Sequence, residues 1–164
     1  MSNSTYSQAL ILGQSLAQQG LVVTTAESCT AGGVARAITD IPGSSEWFQA
    51  GFITYSNDMK CRLLGVSSEL LGAHGAVSKE VAKAMVEGAL RQSQSDIGVA
   101  ITGIAGPGGG SEDKPVGTVC FAVGSSTRVE TSQFMFEGDR EQVRGQSTMK
   151  ALEILLRFTS VKDK

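Results

Sequence analysis

The sequence predicts an α/β fold, a three-layer α/β/α sandwich around a mixed sheet, and three observations predict it. Short β-rich runs alternate with stretches of helical periodicity through the first half of the chain, the pattern of strands joined by helices. The run Ile97–Thr102 is a strand uninterrupted by charge. Beyond it, strands at 117–123 and 127–136 flank Gly124-Ser125-Ser126 and read as a hairpin, so part of the sheet is antiparallel.

Taken in order, residues 6–19 place Leu10, Gly13 and Leu16-Ala17 on one face and form a first helix that ends at Gly20. Residues 21–26 are β-rich. Residues 31–40 read as a helix despite two glycines, and Asp40-Ile41-Pro42-Gly43 stops it. Residues 50–55 form a second strand, after which Ser56 can cap a helix carrying Asn57, Lys60 and Leu63-Leu64. A short helix near 67–73 precedes a longer one from Ser78 to about Gln94, with Val81, Ala84-Met85 and Gly88-Ala89 on one side. Residues 103–116 (GIAGPGGGSEDKPV) are the only long loop, and loops of that length in a compact domain are more often functional than idle. The last helix runs from about Arg140 to Phe158, with Asp139 a candidate cap. With no repeat and no marked boundary, the expectation is one domain over residues 1–164.

Composition narrows the function classes. A chain that is 41% hydrophobic and 18% charged is that of a soluble globular protein. A net charge of −2 without a Lys/Arg cluster argues against a nucleic-acid-binding surface. Cys29, Cys61 and Cys120 are scattered and odd in number, which suits reduced thiols better than a disulfide framework. No Cys-x-x-Cys or His-x-x-x-His spacing occurs, so no metal site is expected. The N-terminal segment has neither a basic n-region nor a sustained apolar core, and a cytoplasmic protein without a membrane segment is the expectation.

The stretch TTAESCTAGG at 24–33 carries the first chemical signal. Ser28 stands where a strand hands over to a glycine-rich helix start, and backbone N–H groups near 28–33 would favour an oxyanion there. Gly32 and Gly33 would let a substrate come close. Ser28 or Thr30 as a plain helix cap is the competing reading. A serine needs a partner to take its proton. The one histidine, His74, lies in a turn between two helices and reads as a packing or capping residue more readily than as a base.

A Ser–Lys arrangement needs an amine that is neutral near pH 7, against an ordinary lysine pKa of about 10.4. Lys60 stands at the same kind of junction as Ser28, one turn into a helix, with Tyr55 ending the strand before it. If the strands of 21–26 and 50–55 are parallel, both junctions open on the carboxyl edge of the sheet, where α/β folds bind ligands. A phenol and an amine there could relay the serine proton; Tyr55 packed at a rim and Lys60 solvated is the alternative. Thr102-Gly103 reaches the same edge, followed by Gly106-Pro107-Gly108-Gly109-Gly110, which fits neither a Walker A nor a dinucleotide fingerprint but could cradle an anion. The fork of Arg140 would suit a phosphate, and a surface ion pair would also occupy it.

The motifs TTAESCTAGG, ITDIPGSSEWF, GFITYSNDMK, LGAHGAVS, ITGIAGPGGGSEDKPVGTV and FEGDREQVR, in this order, resemble the family of the C-terminal domain of the competence/damage-inducible protein CinA, over about residues 6 to 158. Members usually read Ala-Glu-Ser-Cys-Thr-Gly-Gly, where this chain has Ala31 before Gly32-Gly33. The resemblance implies metal-independent hydrolysis of the carboxamide of nicotinamide mononucleotide to nicotinic acid mononucleotide and ammonia, without a cofactor. It implies Ser28 as nucleophile with Tyr55 and Lys60 as activating partners, and substrate contacts from Thr102 and Arg140. Thr30, Gly32, Gly33, Asn57, Gly103 and Gly106 complete the expected binding set. A homo-oligomer, most simply a dimer, is implied as well. The family also includes proteins with an N-terminal nucleotide-pyrophosphatase-like domain, which is absent here, so a single activity is expected. Two rival functions remain at this stage: a nucleotide-binding module without chemistry, and a regulatory domain linked to competence or DNA damage.

Overall fold

The computed structural model describes residues 3–161. Along the chain run α1 (Asn3–Gln19), β1 (Val23–Glu27), α2 (Gly33–Thr39), a 3-10 turn (Ser44–Glu46), β2 (Phe48–Ile53), α3 (Asn57–Leu64), α4 (Ser68–His74), α5 (Lys79–Ser93), β3 (Ile97–Gly103), β4 (Thr118–Ser125), β5 (Val129–Met135) and α6 (Arg140–Ser160). The strands form one sheet in the order β2-β1-β3-β4-β5. β1 pairs in parallel with both β2 and β3, while β4 is antiparallel to β3 and to β5. The expected mixed sheet, and the parallel pairing on which the site depends, are both present.

Burial follows from this order. β1 and almost all of β3 and β4 are buried, whereas β2 and β5 at the edges are not. Along β3, Ile97, Val99 and Ile101 join Val119, Phe121 and Val123 of β4 in a core with α1, α2 and α6. Ala100, Cys120 and Ala122 face the other way, against Val81, Met85, Val86 and Ala89 of α5. The small side chains on that second face let α5 lie close to the sheet. α3 is drawn in by the same means. A Cβ on Gly88 of α5 would fall 2.0 Å from the Leu64 carbonyl oxygen, so only glycine permits the contact. That oxygen also accepts from Arg91 Nη2 at 3.2 Å. The contact fixes the end of α3 one turn beyond Lys60.

Several boundaries differ from expectation: α1 starts at Asn3, β1 spans Val23–Glu27 and α2 Gly33–Thr39, and three further differences have a tertiary reason. β2 spans Phe48–Ile53, in register with β1, so Tyr55 lies beyond the strand end instead of closing it. Gly124 and Ser125 are inside β4, paired with Val129 and Ile97, which moves the hairpin turn to residues 126–128. The Ser44–Glu46 turn, absent from the sequence reading, brings Trp47 under α1, where its ring fills the space a Cβ on Gly13 would take. Among the described residues no helix is long and apolar enough to cross a membrane.

Candidate active site

The carboxyl ends of β1, β2 and β3 open on one edge, and each delivers part of one cleft. Ser28 follows β1 directly, and its N–H still donates to Ile101 O at 2.9 Å, so its position is an extension of the sheet. After β2, Ser56 caps α3 by accepting from Met59 N–H at 3.2 Å, and the first turn of that helix carries Lys60.

The two side chains meet. Lys60 Nζ lies 3.1 Å from Ser28 Oγ, 2.8 Å from Thr54 O and 3.5 Å from Tyr55 O. Lys60 is 1% exposed, the largest of the fully buried side chains, and Ser28 is 8% exposed. Burial pushes the Lys60 pKa below the ordinary lysine value, opposed in part by the neighbouring thiols of Cys29 and Cys61. The cleft wall, which also includes Asn57, Thr102, Gly103, Gly106 and Arg140, contains no carboxylate. An amine with only neutral oxygens around it, out of water, is set to lose its proton. Cys29, next to the serine, is not a competing nucleophile: burial pushes its thiol up to about 12, and the thiol form is a poor attacker.

The turn that presents Ser28 is held from inside. The fully buried Glu27 side chain accepts from the Thr30 hydroxyl at 2.6 Å and from the N–H groups of Gly32, Val34 and Ala35 at 3.0, 3.1 and 2.8 Å. Arg144 of α6 adds contacts from outside, Nε to Cys29 O at 3.0 Å and Nη2 to Thr30 O at 3.5 Å. The donors at the start of α2 are therefore occupied by the protein's own carboxylate. The N–H groups of Ser28, Ala31, Gly32 and Gly33 already donate within the protein, which leaves those of Cys29 and Thr30 as the candidate oxyanion donors of the 28–33 stretch.

At the mouth, Arg140 bridges two elements: Nη1 donates to Gly106 O at 2.9 Å and Nη2 to the Tyr55 hydroxyl at 3.0 Å. No carboxylate pairs with Arg140 among the described residues, so the surface ion pair considered for it is not formed. The glycine-rich loop is pinned by Arg140, by Lys114 Nζ on His74 O at 2.7 Å, and by the bonds between Ile104 and the 117–118 backbone. The cleft volume is about 280 Å³. A larger groove of about 790 Å³ between α1, α2 and α6 holds neither Ser28 nor Lys60, so size does not select the site.

Of the residues singled out in the sequence, Ser28, Tyr55, Asn57, Lys60, Thr102, Gly103, Gly106 and Arg140 line the cleft. Thr30, Gly32 and Gly33 do not. The Thr30 hydroxyl is spent on Glu27, and Gly32 turns the chain at φ 95° beside Ile53. A Cβ on Gly33 would fall 2.7 Å from Thr148 Oγ1, so that glycine serves the packing of α2 on α6, not the approach of a substrate. The Tyr55 phenol is on Arg140, and only its backbone oxygen approaches Lys60. The Thr102 hydroxyl donates to Ala76 O at 2.8 Å. His74, half-exposed, lies near Glu80 and outside the cleft. Glu27 and Arg144 were missed. A charge closing an otherwise buried strand, and an arginine one turn after Arg140, are the signals that could have found them.

The model of the CinA C-terminal domain family matches residues 5–159. The chain belongs to that family. It is 54% identical over 147 residues to the nicotinamide-nucleotide amidohydrolase PncC of Pseudomonas putida, which covers 90% of this chain and 92% of that one. It is 50% identical over 158 residues to a competence-damage inducible protein of Symbiobacterium thermophilum, and spans only 37% of that longer protein. The crystal structure of competence/damage inducible protein CihA from Agrobacterium tumefaciens superposes with a TM-score of 0.94 at 41% identity, covering 96% of each chain. The sheet and its six helices are thus the architecture of the CinA C-terminal domain family, with the Ser28–Lys60 cleft at its parallel edge.

Proposed function

We propose that this protein is a metal-independent amidohydrolase that converts nicotinamide mononucleotide to nicotinic acid mononucleotide and ammonia, with Ser28 as nucleophile and Lys60 as its base. The observation that carries the reading is the 3.1 Å contact between a buried serine hydroxyl and a buried amine whose pKa is lowered by desolvation. The neutral Lys60 amine accepts the Ser28 proton as Oγ attacks the carboxamide carbon. The N–H groups of Cys29 and Thr30 receive the oxyanion, and a donor so placed is worth roughly 3–4 kcal/mol. Lys60 returns the proton to the leaving nitrogen, ammonia departs, and an ester remains on Ser28. A water then attacks that ester with Lys60 again taking the proton, and the acid leaves.

The substrate class follows from charge. With Lys60 neutral, the cleft wall carries one cation, Arg140, and no carboxylate. Arg140, held at the mouth by neutral partners only, matches a phosphate that displaces the Tyr55 hydroxyl. The PncC name of the Pseudomonas putida relative supports the same substrate.

Ammonia release from a panel of pyridine nucleotides, with and without chelator, tests the proposal. Ser28→Ala is expected to fold and to lose turnover by about a thousandfold or more, and chelator to change nothing. Binding of the mononucleotide without ammonia release would leave a nucleotide-binding module instead. Unchanged turnover in Ser28→Ala would end the mechanism.

A further inference from the structure

We propose that Glu27 is a positioning residue for Ser28: its buried carboxylate holds the 28–32 turn in the shape that presents the serine hydroxyl to Lys60. The inference rests on the serine hydrolase reading above, and it concerns a residue that touches no substrate.

Glu27 ends β1 with its side chain fully buried, and both carboxylate oxygens are in use. Oε2 receives the Thr30 hydroxyl and the N–H groups of Gly32 and Val34, and Oε1 receives Ala35 N–H. A helix cap alone does not require this. Ser56, Ser67, Ser78 and Asp139 cap their helices from the adjacent position, whereas Gly32 before α2 offers no side-chain cap. Here the cap comes from upstream of the nucleophile, so that one carboxylate ties the strand end to the helix start across the residues that hold Ser28.

The turn needs such a tie. Ala31 and Gly32 are both left-handed, at φ 47° and 95°, and a short loop with two such residues has several other shapes open to it. Serine has one rotatable bond before its oxygen, so the backbone and a choice among three rotamers decide where Oγ lies. Charge-assisted bonds from four donors select one backbone. An error of about 1 Å at a reacting atom costs on the order of a hundredfold in rate. The same bonds take the Gly32, Val34 and Ala35 donors and leave the Cys29 and Thr30 N–H groups to the substrate side.

Glu27→Gln tests this with a probe that needs no nucleotide. A serine-directed phosphonofluoridate forms a bond between Ser28 Oγ and phosphorus and expels fluoride, while the serine proton passes to Lys60. In folded Glu27→Gln the labelling rate constant and kcat are expected to fall together by about a hundredfold, with KM for nicotinamide mononucleotide changed by less than about threefold. Melting temperature and circular dichroism report folding. Labelling within about threefold of the unsubstituted protein overturns the proposal, and so does a rise in KM that accounts for the whole loss. Should Glu27→Gln not fold, Thr30→Val takes its place. It removes one of the four donors and is expected to slow labelling about tenfold, and unchanged labelling there overturns the proposal equally. If the unsubstituted protein labels at Ser28 but releases no ammonia from the mononucleotide, the substrate assignment falls and the labelling ratio still decides the role of Glu27. If it is not labelled at Ser28, both readings fall.

Discussion

Two strand–helix junctions on one edge of the sheet solve different problems. After β2, Ser56 is extended at φ −94° and its hydroxyl accepts Met59 N–H, and α3 begins at the next residue. After β1, five residues intervene, two of them left-handed, and the cap is a glutamate upstream of the serine. The difference lies in the reach of the side chain each must place. Lysine has four methylenes and finds Ser28 from an ordinary helix turn, once burial has removed the alternatives. Serine has no reach, so its backbone must be shaped and held. A strained turn goes with the short serine side chain, and a standard turn suffices for the long lysine.

The largest expected effect comes from removing the base. Lys60→Met keeps the buried volume and should lower kcat by about a thousandfold or more in an ammonia-release assay. A standard turn with an apolar side chain should still fold, so circular dichroism should match the unsubstituted protein. If Lys60→Met retained turnover, the two junctions would not be working on one reaction. Arg140→Met should act on binding instead, because the proposed phosphate contact is at the mouth, where Arg140 bridges Gly106 and Tyr55, while the Ser28–Lys60 contact lies within. KM for the mononucleotide should rise about 10- to 100-fold, the worth of a charge-assisted pair. The phosphate-free riboside should barely respond. Equal losses on both substrates would place Arg140 in positioning the Tyr55 rim rather than in phosphate binding.

pH sharpens the same comparison, since only one junction carries a group that must titrate. In the proposed mechanism the neutral amine is the active form, so kcat/KM should rise about tenfold per pH unit until Lys60 has lost its proton. The midpoint should lie below the ordinary value of about 10.4, because desolvation favours the neutral amine. Stability carries the matching sign. Between the lowered folded value and the unfolded value the unfolded chain binds more protons, so stability rises with pH across that window. The contribution is complete above about 10.4 and is lost as pH falls through the folded value. The difference in urea midpoint between the unsubstituted protein and Lys60→Met should show this rise, and a flat difference would mean that Lys60 keeps its ordinary pKa.

The sequence made one junction legible and hid the other. Ser56 is a local cap signal from which the α3 start and Lys60 one turn in both follow, whereas the parallel edge stood only as a condition until β1 was seen to pair with β2 and β3. The element order and the mixed sheet were legible for the same reason, since periodicity and turn residues act over short spans. Glu27 was hidden because a glutamate at a strand end reads as an exposed terminus until the left-handed pair at 31–32 folds its donors back onto it. Arg144 was hidden because its acceptors, Cys29 O and Thr30 O, lie more than a hundred residues away in sequence. Gly33 carried a misleading signal. Its lack of a side chain answers to Thr148 on α6, a neighbour that no local pattern reveals.

The smallest expected effect tests how much of the nucleophile turn is strain. Ala31 is exposed at φ 47°, with its N–H donating to Ser28 O at 3.1 Å. An alanine there costs about 1–2 kcal/mol relative to a right-handed residue. Ala31→Gly removes that strain but adds unfolded-state entropy worth about 0.5–1 kcal/mol, leaving a net gain of about 0.5–1 kcal/mol. At about 2–4 °C per kcal/mol for a chain of this size, the melting temperature should rise by about 1–4 °C. Gln94, left-handed at φ 56° at the end of α5 and far along the chain from either junction, is the control: Gln94→Gly should give a similar gain and leave turnover untouched. If the carboxylate of Glu27 fixes the turn, the more permissive glycine at 31 should change kcat by less than about twofold. A several-fold loss in Ala31→Gly, with none in Gln94→Gly, would mean that the stiffness of the alanine itself shares in placing Ser28.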